Sequence, residues 1–201
     1  MLVAGIKSRP VYTGLTIQPR ARRHIFALEG EGAKALLDQK PAIDETALAR
    51  SEILYVARGS QGSGLDEALR RLGADMFFTA PTIATLLFRL KGSLATAHMG
   101  TRLYLSGTEG FIGQAMLVAL DYGMDHASVI TEHRGSLARR VQCVHCKGIT
   151  DDVTTSPFAC SHCGLPLLVR DHYSRRLAAF QGVNIDAEEP GSAPDPEELF
   201  L

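Results

Sequence analysis

Leu103-Tyr104-Leu105-Ser106-Gly107-Thr108-Glu109-Gly110-Phe111-Ile112-Gly113-Gln114-Ala115-Met116-Leu117-Val118-Ala119-Leu120-Asp121-Tyr122 contains a strand, a turn and a helix in one short stretch. Leu103-Tyr104-Leu105 is a run of bulky residues of the kind that buried strands favour. From Gly110 to Tyr122 the repeat changes, and Ile112, Ala115, Met116 and Ala119 fall on one helix face.

The same alternation extends outward from this stretch. Upstream, Ile25-Phe26-Ala27-Leu28 is an apolar run closed by Gly30 and Gly32, and Ala33 to Gln39 reads as helix. Ile53-Leu54-Tyr55-Val56 reads as a buried strand; after Gly59, Gly62 and Gly64, the residues Leu65, Leu69 and Leu72 share one helix face. Ser63 with Asp66 resembles a capping box, and Gly73 suits the helix stop. Met76-Phe77-Phe78 is the next strand, followed by a helix from Thr82 to Lys91 that Gly92 is expected to end. Downstream, Ser128-Val129-Ile130 supplies a fifth strand. Strands alternating with helices over short connections predict right-handed βαβ units and a parallel sheet, an α/β domain over residues 21–135. Residues 1–20, with Pro10, Gly14 and Pro19, read as an N-terminal arm or an edge segment.

The rest of the chain follows a different pattern. Residues 136–185 carry short polar spacers around cysteines, and residues 186–201 form an acidic, proline-rich tail, DAEEPGSAPDPEELFL, with no basic residue. Its composition predicts disorder over most of its length. The apolar Leu199-Phe200-Leu201 reads either as a frayed end or as a docking peptide.

Composition narrows the function classes. The chain has 201 residues, 45% of them hydrophobic and 21% charged, as in ordinary globular proteins. Lys and Arg total 21 against 22 Asp and Glu, a net charge of −1, so no bulk basic field exists to hold nucleic acid or an anionic membrane. Lys7 and Pro10 break the N-terminal apolar stretch before it reaches signal-peptide length, and no apolar run approaches the roughly 20 residues of a membrane span. A cytoplasmic location is expected, and there paired C-x-x-C motifs are more often metal sites than disulfides.

All four cysteines lie between Cys143 and Cys163. Cys143-Val-His-Cys146-Lys-Gly148 and Cys160-Ser-His-Cys163-Gly164 repeat one pattern, with 13 residues between the pairs. Two residues between cysteines let both thiolates of a tight turn face one ion while backbone N–H groups stabilise their charge. A glycine just past the second cysteine is expected to supply the positive φ that the turn demands. Two such knuckles make a tetrahedral sulfur cage for zinc or a single iron, with Cys143, Cys146, Cys160 and Cys163 as ligands. The spacing favours zinc, a structural ion; a rubredoxin-like iron would make the module an electron relay. His145 and His162 are superfluous as ligands and read as surface residues. Arg134, Arg139, Arg140 and Lys147, with Arg170, Arg175 and Arg176, give this region a local positive excess. That excess reads as a docking face for an acidic partner, as solvated surface, or as a clasp for the acidic tail. No nucleophile elbow or phosphate-binding P-loop is present, and His172 beside Asp171 stands without a second converging motif.

Two resemblances add to this. Thr101 to Ile112, with its Ser106-Gly107-Thr108-Glu109-Gly110-Phe111 turn, is similar to the last strand and C-G-P-x-G-F-M turn of the NAD(P) domain in ferredoxin-reductase-type enzymes. Leu54 to Ser60 is similar to the strand and Arg/Ser turn that holds the adenosine end of the cofactor in phthalate-dioxygenase-type reductases, and Val129 to Glu132 looks like the domain's final strand. The resemblance implies Arg58, Ser60 and Gly107 as residues of a dinucleotide site. The chain departs from the pattern in Ser106 for cysteine, Thr108 for proline, and an acidic Gly30-Glu31-Gly32 turn where a phosphate loop would lie, so the site reads as vestigial.

With His133 to Gly148 and Ser156 to Gly164 included, the chain resembles the A subunit of bacterial dimethylamine monooxygenase, the DmmA family. The resemblance implies a subunit of a multi-subunit, NADPH-dependent complex that converts dimethylamine to methylamine and formaldehyde, and leaves this subunit's own task open; an accessory, non-catalytic role is the expectation. Its partners would be a haem-type oxygenase subunit and a flavin and iron–sulfur reductase subunit. The expectation is a docking subunit with a structural zinc; the rivals are an iron electron carrier in the same complex and a stand-alone zinc-ribbon binding protein.

Overall fold

The computed structural model describes residues 8–59 and 64–201. The chain divides into two compact units, one of residues 12–135 and one joining residues 8–11 to 136–201.

In the first unit the order is β1 (Arg23–Glu29), α1 (Gly32–Asp38), α2 (Glu45–Leu48), β2 (Ser51–Val56), α3 (Leu65–Arg70), β3 (Met76–Ala80), α4 (Ile83–Ala95), β4 (Thr101–Gly107), α5 (Glu109–Asp121) and β5 (Val129–His133). All five strands are parallel, in the order β3-β2-β1-β4-β5. The chain therefore winds outward from β1 to β3, then reverses to β4, and a switch point opens between the C-terminal ends of β1 and β4.

Successive residues of β1 face opposite sides, as the two-residue repeat of a strand requires. Ile25 and Ala27 join Leu103 and Leu105 of β4 beneath α4 and α5, packed with Leu86, Leu90, Phe111 and Ala115. Phe26 and Leu28 join Ile53, Tyr55 and Tyr104 beneath α1 and α3, packed with Leu36 and Leu69. With both faces covered, β2 is buried along its whole length.

Tyr104 stacks on Phe26 with ring centroids 4.5 Å apart, and its hydroxyl lies 3.0 Å from Nδ1 of the fully buried His24. Burial, with help from Arg50, lowers the pKa of His24 and favours its neutral form. The same tyrosine hydroxyl accepts the Gln18 N–H, and Leu15 and Ile17 are buried in this core. Residues 12–20 thus pack on the α/β unit, with Leu15 and Ile17 in the same core as Leu36 and Leu69.

One further expectation changes. Gly92 does not end its helix: α4 continues to Ala95 because Leu94 is buried and the Ser93 hydroxyl donates to Glu52 at 2.6 Å. Those contacts outweigh the roughly 1 kcal/mol that an interior glycine costs. The Ser63–Asp66 capping box lies partly outside the described residues; the cap of α3 is Gly64, whose φ is +83°. Among the described residues no helix is long and apolar enough to cross a membrane.

The second unit is built from β6 (Arg139–Cys143), β7 (Ile149–Val153), β8 (Thr155–Ser156), β9 (Phe158–Ala159), β10 (Pro166–Ser174), β11 (Ala179–Asn184) and β12 (Glu197–Glu198). Its main sheet runs β7-β6-β11-β10-β9, antiparallel except for the β6–β11 pair. A small core of Val141, Val153, Phe158, Leu167, Val169, Phe180 and Phe200 includes Cys143 and Cys160.

The acidic tail is not wholly disordered. Its β12 pairs with β8, the N–H groups of Leu199 and Phe200 both donate to the Thr154 carbonyl, and the Leu201 carbonyl accepts from Leu137 N–H. The guanidinium of buried Arg139 lies 4.1 Å from the Phe180 ring centre and 4.0 Å from that of Phe200. One aromatic ring on a desolvated cation holds a segment whose average composition favours water.

Candidate metal centre

Each knuckle begins where a strand ends. Cys143 closes β6 and Cys160 follows β9; both are buried, whereas Cys146 is exposed and Cys163 half-buried. The two turns use the same hydrogen bonds. Cys143 N–H donates to Gly148 and Lys147 N–H to Cys143; Cys160 N–H donates to Leu165 and Gly164 N–H to Cys160, all at 2.9–3.0 Å. The equivalent residues are therefore Lys147 with Gly164, and Gly148 with Leu165.

This pairing corrects the expected role of the first glycine. The positive φ falls on Lys147, at +64°, and on Gly164, at +76°. Gly148 is needed for a different reason: a Cβ there would lie 2.4 Å from the His162 ring. His162 lies across the opposite knuckle, with Nε2 2.9 Å from the Ile149 carbonyl oxygen. It braces one turn on the other, a role that its position in the motif does not reveal. His145 is exposed.

The four sulfurs converge. Sγ of Cys143 and Cys163 are 3.9 Å apart, those of Cys146 and Cys160 are 3.7 Å apart, and all four lie within 4.8 Å of one another. A tetrahedral ion with metal–sulfur bonds of about 2.3 Å sets its sulfurs about 3.8 Å apart. The cluster could bind a metal ion.

Electrostatics point the same way. Burial opposes the Cys160 thiolate, but the N–H groups of Cys163 and His162 and the neighbouring thiols outweigh it and bring its pKa down to about 6. At Cys163 the Leu165 N–H favours the thiolate, yet burial and the three other sulfurs push the pKa up to about 12. Four thiolates so close together repel one another until a cation compensates them.

Several of the basic residues are held in ion pairs within their own unit. Arg139 pairs with Asp171 at 2.8 Å and Arg140 with Asp151 at 3.3 Å, while Arg134, in the α/β unit, pairs with Glu132 and Asp38. Arg175 and Arg176 lie in the β10–β11 turn, at the end of β10 away from Cys163. Burial disfavours the Asp171 carboxylate, but hydrogen bonds from Arg9 and Arg139 outweigh it and hold its pKa below the ordinary range.

At the switch point of the α/β unit, Arg58 and Gly107 come together around Glu29, a residue that carries no motif. Arg58 Nη1 lies 2.9 Å from Oε1 of Glu29, and a Cβ on Gly107 would lie 2.7 Å from the Glu29 Cβ. Ser60 lies outside the described residues.

Comparison with known proteins then places the chain. Residues 4–129 match the family model for the N-terminal domain of the dimethylamine monooxygenase subunit DmmA-like proteins, and residues 140–183 match that for their C-terminal domain. The chain belongs to the DmmA-like family. A curated relative, the heme-dependent oxidative N-demethylase delta subunit of Ectopseudomonas mendocina (strain ymp), is 31% identical over 157 residues, spanning 76% of this chain and 90% of the relative. Among solved structures, the flavohem-like FAD/NAD binding domain of nitric oxide dioxygenase from Vibrio cholerae O1 biovar El Tor aligns at a TM-score of 0.46 and 15% identity. It covers 63% of this DmmA-like chain, which spans just over half, 56%, of that structure. An intact type IV self-sufficient cytochrome P450 monooxygenase aligns at a TM-score of 0.45 and 19% identity, covering 84% of this chain and 28% of that one.

Proposed function

We propose that the chain is an accessory, non-catalytic subunit of a multi-subunit NADPH-dependent dimethylamine monooxygenase, which converts dimethylamine to methylamine and formaldehyde. Its task is to dock a flavin and iron–sulfur reductase subunit to a haem-type oxygenase subunit. The observation that carries this reading is the family match over both parts of the chain, together with the relative named as a subunit of an oxidative N-demethylase.

In this reading Cys143, Cys146, Cys160 and Cys163 hold a structural zinc. The small C-terminal core supports that assignment, because a sheet with so few buried side chains needs a cross-link. A mononuclear iron in the same cage is the second reading, and the sulfur separations fit it equally. It would turn the docking module into a one-electron carrier.

Metal analysis with an absorption spectrum decides between the ions: one zinc per chain and a colourless protein are expected. A red iron–thiolate spectrum that bleaches with reductant would replace the docking role with the carrier. Co-expression with the candidate reductase and oxygenase subunits tests the assembly. The chain is expected to elute with both, and elution alone would remove the subunit reading.

A further inference from the structure

We propose that the crevice at the β1/β4 switch point is filled by the chain's own Glu29, whose carboxylate occupies an anion seat at the head of α5, directly beside the Gly30–Gly32 turn where a phosphate loop would lie. In open parallel sheets, ligands bind outside the carboxyl ends of the strands where the winding reverses. Anions bind there to backbone N–H groups at a helix start. Here that position is already occupied by protein.

Glu29 is the last residue of β1 and only 2% exposed. Its Oε2 accepts the Thr108 N–H at 2.8 Å and the Thr108 hydroxyl at 2.6 Å, at the cap of α5. Its Oε1 accepts from Arg58 at 2.9 Å. A buried carboxylate is costly unless it is paired and hydrogen-bonded, and three donors meet that condition. They are the donors an oxyanion would recruit: a helix-start amide, a hydroxyl and a guanidinium.

Two glycines fit this arrangement. Gly107, with φ +151°, has Glu29 Cβ and Oε2 at 2.7 and 2.9 Å from where its own Cβ would be. Gly32 opens α1 so close to β4 that a Cβ would lie 2.2 Å from the Ser106 carbonyl oxygen. The glycines of a dinucleotide fold let backbone approach a ligand; these let the chain approach itself.

The domain is thus a closed scaffold that takes no nicotinamide dinucleotide. This goes beyond the subunit reading and does not depend on it, since it concerns the α/β unit with or without metal or partners. The test is titration of the full chain with NADPH and, separately, with inorganic pyrophosphate. Wild type is expected to show no saturable binding of either.

Glu29→Gly vacates the seat and is expected to gain at least about tenfold in pyrophosphate affinity over wild type. Adding Arg58→Ala should abolish that gain. Wild type that binds NADPH or pyrophosphate as tightly as the variant would overturn the proposal, as would a folded variant without gain. Should Glu29→Gly fail to fold, hydrogen exchange on wild type decides the question. Unchanged exchange at Arg58 and Thr108 with NADPH supports the closed crevice, and protection there overturns it.

Discussion

At the residue scale, two neighbouring positions of the first knuckle should respond to mutation opposite to their appearance. Lys147 holds the left-handed conformation and Gly148 does not. Lys147→Gly is expected to preserve metal stoichiometry and to match or exceed wild-type stability, since a glycine relieves about 1 kcal/mol of backbone strain. Gly148→Ala drives a methyl group into the His162 ring and is expected to lower both the melting temperature and the metal retained after dialysis against a mild chelator. In the other unit, His24 sets a pH dependence. Its lowered native pKa means that the unfolded chain takes up a proton near the ordinary value of about 6.5 while the folded chain does not. Stability of this unit should be flat above that pH and decline as pH falls from there toward the lowered native value. Denaturant melts from pH 8 to 5 on wild type and His24→Phe check this, and the variant should lose the slope assigned to His24.

At the scale of elements, the strands of the parallel sheet and most of its helices are legible in the sequence because short continuous apolar runs alternate, across glycine-containing turns, with stretches of helical repeat. The cluster of four cysteines is legible because C-x-x-C is a local pattern. What escapes is long-range. Nothing near Gly92 announces that Leu94 will be buried, so the glycine reads as a stop, whereas its side is open, with nothing within 4 Å of where a methyl group would sit. Gly92→Ala is therefore expected to stabilise by about 1 kcal/mol, and Gly73→Ala, at φ +75°, to destabilise; thermal melts of the pair give the signs. Glu29 and Thr108 are likewise 79 positions apart, and only the β1–β4 adjacency makes them neighbours. The order in the tail escapes for the same reason. Composition averages over it, while its attachment depends on Phe200 meeting Arg139. Phe200→Ala should release β12 and lower the stability of the second unit by about 1–2 kcal/mol, measured by denaturant melts and by faster proteolysis within residues 187–201.

At the scale of the whole molecule, the two units are stabilised differently. Residues 12–135 have apolar cores on both faces of their sheet, whereas the second unit has one small core in which two of the buried residues are cysteines. Strong chelation, or Cys143→Ser, is expected to abolish the β6–β11 sheet while leaving the parallel sheet intact. Backbone amide spectra before and after chelation read this directly, and a C-terminal sheet that survives metal removal would count against a structural ion.

The parallel β6–β11 pair has a kinetic consequence. Its register sets Cys143 against Gly182, so forming it requires the chain to close a loop containing both knuckles. An ion joining Cys143 to Cys163 roughly halves the length of flexible chain still to be closed, which lowers the closure cost by about 0.6 kcal/mol. Ribbon assembly should therefore begin at the knuckles and finish at the β6–β11 pair, with refolding faster when metal is present at the start than when it is added afterwards.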